Sequence, residues 1–293
     1  MKFTKLIHFD VRNGICKNVG LILAPFIIAL ISFVDFNRKF YPLALAESST
    51  SNVIPTYADH IMYIYGGMAQ YIPNPAEPFQ FPARWMIWFM SLLFFMSSYA
   101  YNDMQTFGIQ ILTRSGSRRA WWLSKTLWCF FGTLLFHAVL WLAVCIACMV
   151  TKAELSLVLH ADIICKLFQT FSTGTAIGEI QISLLALLLP VVVSFSLCLC
   201  QMTLSLFIKP TLSFLAMAVI AILSVYLFSP VLLCNYAMPI RGELFMSNGV
   251  NADTGYAYAV SFALFLMISG AIIFHSTKSH ETFFGFSLDF SRY

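Results

Sequence analysis

Six stretches of this chain are apolar over roughly the length that crosses a bilayer, about 20 residues each. They lie near 19–34, 84–101, 126–150, 181–207, 211–229 and 255–274. None carries Asp, Glu, Lys or Arg in its interior; Arg84 stands at the edge of the second. Lipid offers no partner to an exposed peptide group, so each stretch must close its hydrogen bonds within itself as a helix. The rest of the chain cannot make up a water-soluble coat: 10% of its residues are charged, where a soluble domain carries about a quarter. The expected fold is an all-α polytopic integral membrane protein. It has a segment 1–18 and a six-span domain 19–293, with connecting segments 35–83, 151–180 and 230–254 on one side.

Lysine and arginine orient such a bundle. With the N-terminus inside, the inner segments hold Lys2, Lys5, Arg12, Lys17, Arg114, Arg118, Arg119, Lys125, Lys209, Lys278 and Arg292. The outer ones hold Arg38, Lys39, Arg84, Lys152, Lys166 and Arg241, together with most of the acids. The bias predicts a multi-pass protein of the cell membrane with both termini cytoplasmic. The join Ile208-Lys209-Pro210 is short, but Lys209 marks the inner interface and Pro210 suits the first turn of the next helix. The net charge of +4 calls for no nucleic acid.

Residues 1–18 set Phe3, Leu6, Ile7, Phe9 and Val11 among basic residues. This predicts a helix lying in the inner interface with lysines toward lipid phosphates; a plain basic flank that only orients the first span is the other reading. No small-residue cleavage site follows the first run, so a removable signal is not expected. The long segment 35–83 reads as a lid on the bundle, with His60 to Tyr65 on the outer leaflet and Pro73, Pro75, Pro78 and Pro82 extending the chain. Residues 161–171 pattern as an outer interfacial helix with Ile163, Ile164, Leu167, Phe168 and Phe171 on one face. Residues 235–256 read as a re-entrant or capping turn, and Pro25 and Pro190 as bends in their spans.

Catalytic signatures do not occur. The chain has no GxxxxGK[ST] phosphate loop, no HExxH, no Gly-x-Ser-x-Gly and no paired acids within the spans. It is expected to be a non-catalytic subunit with no cofactor and no metal of its own. Cys198-Leu-Cys200 lacks the second ligand pair that a zinc site needs. Cys165 and Cys234 fall in outer segments, either bonded or as free thiols. His137 is the one strongly ionisable residue deep in a span. It marks either a pathway or a neutral imidazole bonded to a neighbouring serine or backbone carbonyl. Gln201 is either interhelical glue or pathway lining.

The loop between the second and third runs is more specific. It collects Arg114, Arg118, Arg119 and Lys125 beside Trp121 and Trp122. Gly108 and Gly116 flank a short apolar helix, Ile109 to Leu112. Ser117 caps a helix that starts at Arg118 and would lie at the interface with its tryptophans as anchors. One reading is a compact knob for the cleft of a soluble partner; the other is a basic loop with an aromatic belt.

Taken together, the interfacial N-terminal helix, the six spans and the stretch Ile111-Leu112-Thr113-Arg114-Ser115-Gly116-Ser117-Arg118, followed by Trp121-Trp122-Leu123-Ser124-Lys125, resemble the permease subunits of bacterial ABC-2 type exporters. The resemblance covers the whole chain in organisation and is motif-like only in this loop. It implies a coupling helix, here Gly108 through Trp122, that docks into a separate ABC ATPase subunit. ATP and Mg would be bound by that subunit. It further implies a second permease copy or a related subunit, with membrane lipid as solvent and no nucleic acid. Its cargo would be a hydrophobic or amphipathic molecule such as a peptide, an antibiotic or a lipid-like compound. Segment 35–83 is longer than that family needs. A reading from another class is a non-transporting scaffold or sensor that couples an outer ligand to a cytoplasmic partner.

Overall fold

The computed structural model describes residues 3–47, 53–72, 81–108, 118–170 and 178–276. Among them the protein is helical, with two isolated β-bridges, Thr56–Glu154 and Gly242–Val250. Helix α1 (Phe3–Asp10) runs into a π-helical turn (Val11–Ile15). Helix α2 is Gly20–Glu47, α3 Tyr57–Tyr65, α4 Ala83–Met96 and α5 Tyr99–Asp103, the last followed by a π turn Met104–Gly108. Helix α6 is Arg118–Thr151 and α7 is Ala161–Phe168. Helix α8 (Glu179–Ile182) passes through a third π turn (Ser183–Leu188) into α9 (Leu189–Phe207). Helices α10 (Pro210–Tyr226) and α11 (Ala252–Ser276) follow, separated by two 3₁₀ turns, Leu233–Ala237 and Pro239–Arg241.

Among the described residues four helices are long and apolar enough to cross a membrane: Gly20–Leu45, Arg118–Thr151, Glu179–Phe207 and Ala252–Ile273. The chain is a multi-pass, all-α membrane protein on that ground. The other two apolar runs form shorter helices. The second breaks at Ser97 and Ser98, where the Ser97 hydroxyl turns back to the Phe94 carbonyl at 2.7 Å. The fifth, α10, has 17 residues, about 25 Å of helix against a hydrocarbon core of about 30 Å. The break before α10 is where the sequence put it: Ile208 is extended and Pro210 opens the helix.

The first span is longer than the apolar run 19–34. Helix α2 continues through Asp35 and Lys39, which pair across one turn at 2.9 Å, and tolerates Pro42 within it. A charged turn extends a helix beyond lipid as long as its charges find partners, and these do.

Helix α6 is the hub, packed on α1, α2, α9 and α11; α9 in turn packs on α10 and α11. The span Glu179–Phe207 is 67% buried and α11 22%, so α9 is central and α11 peripheral. Helix faces divide accordingly. On α2, Leu21, Ala29, Phe33, Phe36 and Phe40 are buried, while Leu23, Ile31 and Val34 are exposed. On α11, Ala259 and Ala263 are buried, while Phe265, Ile268 and Ile272 are exposed. On α11 the large apolar side chains face outward and the small ones inward, as lipid solvation and close helix packing require, whereas the inward face of α2 is built of phenylalanines. At Gly270 the approach is extreme: a Cβ there would lie 2.3 Å from the Trp122 indole. A π turn, Ser183–Leu188, comes just before Pro190, and the Pro190 carbonyl accepts from the Ser194 hydroxyl at 2.5 Å.

Helix α3 corrects the outer-leaflet expectation for His60 to Tyr65. Every residue from Ala58 to Tyr65 is buried, so the helix is inserted among α2, α4 and α6 rather than laid on a surface. A capping box fixes its start: the Thr56 hydroxyl accepts from the Asp59 amide, and Asp59 accepts from the Thr56 amide. The amphipathic segment 161–171 is helical over Ala161–Phe168 with Ile163 and Ile164 buried, and it ends at Gln169 in the left-handed conformation. Phe171 lies outside the described residues. Cys165 and Cys234 are both free thiols.

Candidate functional site

The strongest constellation is assembled from three distant parts of the chain. The Lys125 ammonium sits between two carboxylates, 2.5 Å from Asp10 and 2.7 Å from Asp103, with the three side chains at most 5% exposed. Asp10 also accepts from the Ser124 hydroxyl at 2.5 Å and from the Tyr99 hydroxyl at 2.9 Å. Asp103 accepts from the Trp121 indole at 2.9 Å. The ammonium lies 4.6 Å from the Tyr99 ring centre. Burying a charge is costly unless it is paired and hydrogen-bonded; here each carboxylate has at least two donors. The cluster fastens α1, the end of α5 and the start of α6 to one point.

That point is where the loop of the sequence reading begins and ends. Gly108 closes the π turn after α5, and Arg118 opens α6. Ile109, Leu112, Arg114, Gly116 and Ser117 lie outside the described residues. The tryptophans are not interfacial anchors: Trp121 and Trp122 are fully buried. Trp121 donates to Asp103, and Trp122 donates to the Met267 carbonyl of α11 at 3.0 Å. Arg118 starts the long helix itself, so the indoles three and four residues on point into the bundle. The sequence reading missed the ion cluster. Its signal was present: Asp10 and Asp103 are acids in segments that the lysines and arginines assign to the basic side.

His137 is buried at the middle of α6. Its Nδ1 is 2.6 Å from the Tyr65 hydroxyl of α3, and the ring sits among Trp88, Phe136 and Trp141. The partner is a tyrosine from the inserted helix rather than a serine or a backbone carbonyl. Nε2 has no hydrogen-bond partner among the described residues. Gln201 is fully buried with neither amide atom bonded among the described residues, while its backbone carbonyl accepts from the Ser213 hydroxyl of α10 at 2.9 Å. Gln201 and His137 do not share a hydrogen bond among the described residues.

The opposite end of the bundle carries a second charged cluster. Asp35 accepts from Lys39 at 2.9 Å, the Tyr63 hydroxyl at 2.5 Å and Arg84 at 3.2 Å, and the Arg84 guanidinium stacks 3.6 Å from the Tyr63 ring centre. At the other end of α2 the Asn18 amide reaches the Phe95 carbonyl at 3.2 Å, so α2 and α4 run antiparallel between the two ends. Beside the second cluster, Asp59 accepts from the His160 ring at 2.7 Å and from its backbone at 2.9 Å. That hydrogen bond raises the His160 pKa above its ordinary value. His60, one residue from Asp59, stacks on Phe33 at 4.1 Å with neither ring nitrogen bonded among the described residues, and burial pushes it down to about 4.

Arg241 is a further buried charge, and no acid pairs with it among the described residues. Its guanidinium donates to the carbonyls of Met68, Ser224 and Val225 and to the Asn235 side chain. The last turn of α10 supplies two of those carbonyls, which have no intrahelical partner and attract a cation. Burial lowers the arginine to about 10, so it stays charged at neutral pH. Among the described residues no group of three His, Cys, Asp or Glu side chains is arranged to hold a metal ion.

No curated protein and no solved structure matches the chain. A family model described as "Protein of unknown function (DUF2705)" matches residues 26–278, from within α2 to just past α11, leaving α1 and its π turn outside. By that match over most of its length, the chain belongs to the DUF2705 family.

Proposed function

We propose that this protein is the membrane-spanning permease subunit of an ATP-driven exporter of the ABC-2 type. In this reading the six apolar runs all cross the membrane and both termini are cytoplasmic. Loop 108–122 is the contact for a separate ABC ATPase, and a second permease copy or related subunit completes the pathway. The cargo is hydrophobic or amphipathic, because the spans carry no row of charges.

The observation that carries the proposal is the Asp10–Lys125–Asp103 cluster at the base of the loop. A device that converts nucleotide binding into helix motion needs a stiff connection from the docking element to the spans. A loose loop absorbs a push; one whose two ends meet at a buried ion cluster passes it to α5, α6 and α1 together. Trp122, hydrogen-bonded to α11, extends that connection across the bundle.

The test replaces Ile109 and Leu112 by Asp, which puts unpaired charge into an apolar docking groove. The variant should insert and fold as the parent does, fail to co-purify with an ABC ATPase and lose nucleotide-driven transport. Retention of the ATPase and of transport would remove the reading's main support. A non-nucleotide-binding partner captured through the loop would favour a scaffold or sensor instead.

A further inference from the structure

The first helix has a second face that the ion cluster does not use. Leu6, Asp10, Gly14 and Ile15 turn into the bundle. On the other side Thr4, Lys5, His8, Phe9, Arg12, Asn13 and Lys17 line an open groove of about 580 Å³. The π turn gives the groove its shape. Four residues of α-helix overshoot a full turn by about 40°, so a row at that spacing would drift around the helix. The wider π turn, closed by the Cys16 amide on the Val11 carbonyl at 3.0 Å, drifts the other way. The row Thr4, His8, Arg12 and the row Lys5, Phe9, Asn13, Lys17 therefore stay on one side.

The groove is one-signed. Asp10 is the single acid among residues 1–19, and it is held by Lys125 on the opposite face. Among the described residues no carboxylate pairs with Lys5, Arg12 or Lys17. Thr4 and Asn13 add uncharged donors between the cations. Phe9 lines the groove as well, an apolar side chain among the cations where a lipid's acyl region would begin.

We propose that this groove binds the phosphate headgroup of an anionic membrane lipid. The charge complementarity is direct, and a juxtamembrane basic side chain near an anionic leaflet gains affinity of about fivefold each. The lipid and the ion cluster hold the same short helix from two sides: the headgroup pins its outer face, and Lys125 holds Asp10 on its inner face. The proposal needs only that α1 lies at the membrane surface, and it stands whether or not the exporter reading does.

The experiment uses the purified full chain in neutral detergent, without any ATPase. Phosphatidylglycerol, phosphatidylcholine and inorganic phosphate are each titrated, with native mass spectrometry counting adducts and thermal unfolding reporting stability. The parent should retain one phosphatidylglycerol per chain, with a raised midpoint, and bind it more weakly at high salt. Phosphatidylcholine should give neither effect. K5Q/R12Q/K17Q should lower the affinity on the order of a hundredfold at low salt, the product of three such losses, and K5R/K17R should retain it. Equal binding of phosphatidylglycerol by the parent and the triple variant overturns the proposal. So does equal occupancy by inorganic phosphate, which makes the groove a free-anion site. If the triple variant does not fold, the parent's salt series decides alone, since binding insensitive to salt also overturns it.

Discussion

Replacing Lys125 by Met removes the one cation from a site that keeps two carboxylates. Both are almost inaccessible, at 2% and 5% exposure. Removing one partner of a buried pair typically costs about 3–5 kcal/mol, because the remaining charge is left uncompensated. The structure points to the lower end. Asp10 keeps the hydroxyls of Ser124 and Tyr99, and Asp103 keeps the Trp121 indole, so neither oxygen set is stripped of donors. The expected loss is about 3 kcal/mol. D103N leaves the Lys125–Asp10 pair in place and should cost less, about 1–2 kcal/mol. Removing all three charges in D10N/K125M/D103N should return to within about 1 kcal/mol of the parent, since uncharged groups of similar volume replace a buried ion cluster at little cost. The assay is reversible denaturation in mild detergent followed by tryptophan fluorescence, for which Trp121 is a reporter inside the cluster. K125M unfolding within about 0.5 kcal/mol of the parent, or a triple variant no better than K125M, would refute the account of the cluster as a buried, mutually compensated unit.

R241K should destabilise by about 3 kcal/mol, because a lysine cannot reproduce the fork that satisfies the Ser224 and Val225 carbonyls; an unchanged thermal midpoint would sink this. G270V places a branched side chain where a Cβ alone meets the Trp122 ring and should cost about 1–3 kcal/mol, read as a lowered midpoint and altered Trp fluorescence. Two histidines give the α3–α7 region opposite pH limbs. His60, pushed down to about 4 by burial, contributes stability that is present above its ordinary value of 6.5 and decays as pH falls from there. His160, raised by its hydrogen bond to Asp59, contributes stability that is present below 6.5 and is lost as pH rises through its raised value. Stability should therefore peak near neutrality, and H160Q should flatten the alkaline limb alone; an alkaline limb that persists in H160Q argues against this assignment. Single cysteines placed at Ser49 and Asn251 in a cysteine-free background should react with an impermeant thiol reagent from outside intact cells, and ones at Ser115 and Ser279 should not.

The helical, membrane-spanning class follows from the sequence by itself, because hydrophobicity adds along the chain without reference to distant residues. So do the break at Lys209-Pro210 and the amphipathic helix 161–168, each coded by a few adjacent residues. Much less could be read about which way each helix faces. Helices α2, α6, α9 and α11 are apolar on every side, and in lipid the buried and solvent faces have the same chemistry, so periodicity does not tell Leu21 from Leu23. From the sequence, Trp121 and Trp122 are expected at the membrane surface because they stand beside the basic cluster Arg114, Arg118 and Arg119. Partner choice was beyond the sequence altogether. Lys125 meets Asp10 across 115 residues and His137 meets Tyr65 across 72. The insertion of α3, the meeting of the two acids at Lys125 and the capping of α10 by Arg241 were decided only when the helices packed, because the cost of a buried polar group depends on what stands opposite it, and only the tertiary structure determines that.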